Sequence, residues 1–155
     1  MKSKYLGTKM ISEITTHLVQ RIETVPALAG STGTTLGGTE ADPTMTSIPV
    51  PAAWVVFESA QDQSQQDGKS GSDSRYQKLL LSYRVVLVLQ YGNGEEAMKL
   101  QLKMIEDVAS AVRGSVALDF GNTPWAYQGC TLLSVETDRI AYSLSFQTSA
   151  HYKST

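Results

Sequence analysis

The chain has 155 residues, 41% hydrophobic and 18% charged, a balance that suits one domain built around a single core. Its net charge of −2, with basic residues scattered along the chain, excludes the basic footprint of a nucleic-acid binder. The single cysteine, Cys130, excludes an intrachain disulfide and points to a reducing compartment, and no segment has the ~20 apolar residues of a membrane span.

The first predicted element is a helix over residues 9–24, in which Ile11, Ile14, Leu18, Ile22 and Val25 recur at helical spacing along one face. Thr8 or Ser12 is placed to cap it, and Pro26 ends it. The N-terminal stretch MKSKYLGTKMISEITTHLV carries some positive charge but lacks the apolar run of a signal peptide, so the expectation is a soluble protein of the cell interior. Residues 28–48, LAGSTGTTLGGTEADPTMTSI, are rich in glycine and threonine and read as a long flexible loop.

A short strand follows over 51–59, PAAWVVFES, opened by a proline. The run QDQSQQDGKSGSDSR, 61–75, is wholly polar and reads as a second flexible loop, at about 60–75. The strand predicted at about 76–91 has the strongest alternation in the chain. Its odd positions, from Leu79 to Tyr91, are all apolar or aromatic, while its even positions mix Ser82 and Arg84 with Leu80, Val86 and Val88.

GNGEEAMKLQLKMIEDVASAVRG reads as a second helix, with Asn93 as N-cap, Glu96 completing a capping box and Gly114 as the stop. It carries two apolar stripes: Ala97, Leu100, Met104, Val108 and Ala111, and beside them Met98, Leu102, Ile105, Ala109 and Val112. SVALDFGNTPWAYQG reads as a loop with aromatics. Two strands, about 129–137 and 139–149, then form a hairpin near Asp138, the second presenting Ile140, Tyr142, Leu144, Phe146 and Thr148 on one face. The expected fold is one α+β domain over 1–155, with two helices on one face of a four-stranded, mainly antiparallel sheet in the order α-β-β-α-β-β.

Chemistry-bearing patterns are few. His17 and His151 have no companions at metal-ligand spacing, so neither a metal nor a cofactor is expected. Cys130 opens a strand without a recognisable base, and reads as a buried thiol. GSTGTTLGG lacks the lysine of a phosphate-binding loop. The pairs Glu95-Glu96 and Glu106-Asp107 are adjacent on a helix, which points them apart and denies them a joint acid–base role. No catalytic residue is predicted. Trp125 and Tyr127, in the loop after Pro124, are candidates for a protein contact.

The succession of an amphipathic helix, PAAWVVFE, LLLSYRVVLVLQY, the helix ending in Arg-Gly, and PWAYQGCTLLSVETDRIAYSLSFQTSAHY resembles the tail terminator (tail-completion) proteins of tailed bacteriophages, of the contractile-tail kind. The resemblance is clearest over residues 50–150. It implies a structural virion protein, assembled in the host cytoplasm, that forms a ring, commonly hexameric, at the head-proximal end of the tail. Such a ring stops tail-tube polymerisation and joins the neck, with tube, sheath and neck proteins as partners and DNA passing through its lumen. Leu80, Val86 and Val88, which seek a cover, then become candidate interface residues together with Trp125 and Tyr127. Asp62, Asp67 and Asp73 in the polar loop are suited to a neighbour or to a lumen that repels phosphate. The alternatives are a head–tail connector subunit, with the same composition, or a ferredoxin-like domain holding a small ligand between helices and sheet.

Overall fold

The structure, a computed structural model, describes residues 2–30, 32–35, 49–63, 76–117 and 122–153. Helix α1 (Lys2–Glu23) is followed by a 3₁₀ turn at Pro26–Leu28 and strands β1 (Thr32–Thr35), β2 (Ala52–Asp62) and β3 (Tyr76–Gln90). Helix α2 (Glu95–Val112) then precedes the hairpin of β4 (Ala126–Val135) and β5 (Arg139–Lys153). The sheet order is β1-β2-β3-β5-β4. The four long strands are antiparallel neighbours, as expected. A fifth strand is added: β1, inside the segment read as a loop, pairs parallel to β2 with Thr32 opposite Ala53.

The centre of the sheet is the fifteen-residue ladder between β3 and β5, which places Leu81, Tyr83, Val85, Leu87 and Leu89 opposite Thr148, Phe146, Leu144, Tyr142 and Ile140. Side chains alternate across a strand, so these pairs share one face, and the helices cover it. Met10, Ile14, Leu18 and Ile22 of α1 are buried against it in the same core as Val55, Val108, Val112 and Trp125. Each fully buried aliphatic side chain contributes on the order of 2 kcal/mol. The opposite face holds a smaller cluster of Val56, Val86, Val88 and Ala141, with Val50 and Trp54 packed against it.

Polar bonds tie α1 in place. Thr15 Oγ1 lies 2.8 Å from the Tyr83 hydroxyl, which also donates to the Ile11 carbonyl at 3.3 Å. Arg21 Nε donates to the Ala111 carbonyl at 2.9 Å and so joins the two helices.

Three local expectations need correction. Helix α1 starts at Lys2, before either Thr8 or Ser12. The N-cap of α2 is Gly94, at φ +103°, with no side-chain cap bond, so Asn93 does not close a capping box. Strand β4 begins at Ala126, within the segment read as an aromatic loop. There the chain pairs with the exit of α2: Gly114 N–H donates to the Trp125 carbonyl and Trp125 N–H to the Ser115 carbonyl, at 3.0 and 2.9 Å. Gly114 does stop the helix, in the left-handed region at φ +82°.

Candidate functional site

The ionisable groups that invite a chemical reading are engaged in the fold. His17 Nδ1 accepts a hydrogen bond of 3.2 Å from Trp125 Nε1, and burial, helped by the nearby Arg21 charge, holds the imidazole below its ordinary range. Burial pushes the Cys130 thiol up, away from the thiolate a nucleophile needs. Burial likewise raises Tyr83 to about 12, against the opposing hydrogen bond from Thr15. Among the described residues no three histidine, cysteine or carboxylate side chains gather as a metal site.

The candidate contact residues are dispersed. Trp125 is not presented to a partner: it is 2% exposed, with its ring edge-on to Tyr83 at 5.4 Å. The bonds between residues 114–115 and 125 turn its indole into the core. Val86 and Val88 are also covered within the chain, by the cluster around Trp54 and Val56, so they offer no free surface. Leu80 is half-buried on that outer face, opposite Gln61 and Ser149. Tyr127 is half-buried against Phe146, with ring centres 5.3 Å apart. Asp62 is exposed at the end of β2. Asp67 and Asp73 lie outside the described residues.

The surface that stands out is one the sequence reading did not name among the candidate contacts. Helix α2 buries only Gln101, Val108, Ala109 and Val112, leaving Met98, Leu100 and Leu102 at 60%, 70% and 55% exposure. A helix advances 100° per residue, so these side chains fall on opposite flanks of the sheet-facing line through Gln101 and Val108. On one flank, Leu100 and Met104 form a wall of a groove of about 700 Å³ whose other walls include Val25, Pro26, Leu89 and Tyr91. On the other flank, Leu102 and Ile105 share a smaller groove of about 350 Å³ with Tyr127 of β4, which fixes that flank as the one above the edge strand.

The edge strand continues this apolar surface. Leu132, Leu133 and Val135 are all exposed, and a register irregularity between Leu132 and Ser134 turns successive leucines outward. Leu132 pairs with Tyr142, whose hydroxyl donates to Gln101 Oε1 at 3.4 Å, so the end of β4 and the first half of α2 border one another. No charged residue interrupts AYQGCTLLSV. Charged residues and prolines are the devices that usually blunt an exposed edge. The signal available in the sequence was the width of the α2 pattern: two adjacent stripes cover more of a helix than one sheet contact hides.

A sequence profile of the family described as phage tail terminator protein matches residues 15–155, nearly the whole chain. The chain belongs to the phage tail terminator family. Among solved structures, this tail terminator is similar to a chain of the virion of a native gene transfer agent particle. The match has a TM-score of 0.52 at 13% identity and covers 86% of this chain and 91% of that one, a likeness of fold. No curated protein sequence matches it significantly. As a family member it is a structural component of a phage particle, and its exposed apolar surfaces take their meaning from that setting.

Proposed function

We propose that this tail terminator closes the head-proximal end of a phage tail as a ring of identical subunits: the ring is hexameric, stops tube polymerisation and joins the neck. The observation that carries the reading is α2, apolar on three sides in a family member, with only one side satisfied by its own sheet. The fourth side, with Glu96, Lys99 and Lys103, is charged and faces water, so the apolar arc is wider than one sheet contact hides and its flanks are left for an assembly. The partners are other copies of the chain, the tail-tube protein and, in a contractile tail, the sheath and neck proteins. Leu80 and Tyr127 contribute to these contacts. Asp62, Asp67 and Asp73 of the polar run 61–75 supply carboxylates of the kind that would keep a lumen from binding passing phosphate.

The groove between the helices is also where a small-ligand domain would keep its pocket. Family membership favours protein assembly as its use. The test is native mass of the purified chain, followed by imaging with polymerising tail-tube protein. Rings at tube ends and tubes of limited length are expected; a chain that stays monomeric and leaves tube growth unchanged overturns the proposal.

A further inference from the structure

The two apolar flanks of α2 differ in shape. The flank toward α1 is concave: the groove of about 700 Å³ lies between Leu100 and Met104 on one side and Val25 and Pro26 on the other. That size lies within the ~300–1,000 Å³ range of sites that engulf a ligand. The flank toward β4 carries only the smaller groove beside Tyr127 and borders the sheet edge, where Leu132, Leu133 and Val135 are exposed. The surfaces do not overlap, because the buried line of Gln101 and Val108 separates them.

We propose that the occupant of the groove is a second copy of this chain, and that the part inserted is the end of β4, led by Leu132 and Leu133. This rests on the ring reading above and names the two surfaces that would build the ring. One chain carries both a socket and a plug on opposite flanks of one helix. Two copies joined in this way leave one socket and one plug free, which is the head-to-tail arrangement that a ring requires. An edge-to-edge pairing of two β4 strands would instead bury the plugs against each other and leave both grooves empty. The two surfaces match in chemistry: Leu100 and Met104 line the groove, and Leu132, Leu133 and Val135 stand exposed on the edge. The uncharged edge from Ala126 to Val135 adds no ion that would need desolvation on entry.

Disulfide trapping tests the arrangement. In a Cys130→Ser background, Leu100→Cys places a thiol at the groove and Leu133→Cys places one on the edge; both positions are exposed, so folding is little affected. Ser110→Cys, on the exposed side of α2, is the control. The single variants are mixed pairwise with tail-tube protein present and oxidised. The Leu100→Cys and Leu133→Cys mixture is expected to cross-link at least tenfold more than the Ser110→Cys and Leu133→Cys mixture, and a chain carrying both groove and edge thiols is expected to give a ladder ending at the ring.

Self-linking of Leu133→Cys in preference to the mixture overturns the inference, as does a mixture that links no better than the control. The reduced variants are assayed in parallel for limiting tube length. Capped tubes without the groove–edge link sink this inference and leave the ring reading standing. The link without any effect on tubes leaves the head-to-tail contact standing and sinks the ring's proposed role.

Discussion

Trp125 Nε1 donates to His17 Nδ1 across 3.2 Å, joining the start of β4 to the middle of α1. The bond requires His17 to lack a proton on Nδ1, and the indole that makes it is a large side chain of the core.

Stability should therefore fall on mild acidification. The folded-state value of His17 lies below its ordinary 6.5, so the unfolded chain takes the proton first as pH drops. The contribution of this residue is fully present above 6.5 and is lost as pH falls from there toward the lowered folded value. Urea midpoints measured at about pH 8 and about pH 5 should differ more in the native chain than in His17→Gln. Equal differences in the two proteins would show that His17 is not the group responsible.

Truncating the indole is a separate matter. Trp125→Ala should cost about 3–5 kcal/mol through the cavity it leaves beside Tyr83. Trp125→Phe retains much of the packing and should cost clearly less. Urea unfolding of the two variants side by side checks the order.

Tyr83→Phe removes the hydroxyl that meets Thr15 Oγ1 and the Ile11 carbonyl. A loss of about 1–2 kcal/mol is expected, because the partners on α1 are left partly buried without it. In the Thr15→Val background the same change should cost less, and a double-mutant cycle measures the difference.

Gly114 stands at φ +82° with open space where a Cβ would project. Gly114→Ala should cost about 1–2 kcal/mol from the left-handed backbone alone, with no steric clash. A shift in the thermal midpoint without any change in the tube-length assay is the expected result.

Leu100→Gln and Leu102→Gln alter exposed positions and should each change stability by no more than about 0.5 kcal/mol. Their effect should appear in assembly, as a loss of ring formation measured by native mass. A variant that loses stability and assembly together would place its leucine in the core instead.

Where periodicity decides, the fold is legible from the sequence. The alternation in β3 and β5 assigns Tyr83, Leu144 and Phe146 to one buried face, and the spacing in α1 assigns Ile14, Leu18 and Ile22 to the core. Strand β1 escaped because its four residues, TGTT, sit in a glycine-rich setting and gain order from Ala53 to Val56 across the ladder. Trp125 escaped because backbone pairing between distant residues, 114–115 with 125, turns it inward, and no local pattern encodes that. The candidate surface was missed for a related reason. Leu100 and Leu102 look like core residues of a helix, and only the placement of α2 on its sheet decides which stripe is covered.

The position of β5 has a kinetic consequence. It is the last of the described strands in chain order, yet it lies between β3 and β4 and forms the longest ladder of the sheet. A nascent chain that has emerged only through β4 has α1, β2 and β3 in hand but no partner for the inner edge of β3. Folding must await β5, and the long-range pairing that follows is of the slow kind. The walls of the socket all precede β4 in the chain, whereas the β4 edge pairs only with β5, so the plug is the last part of the subunit to be set in place.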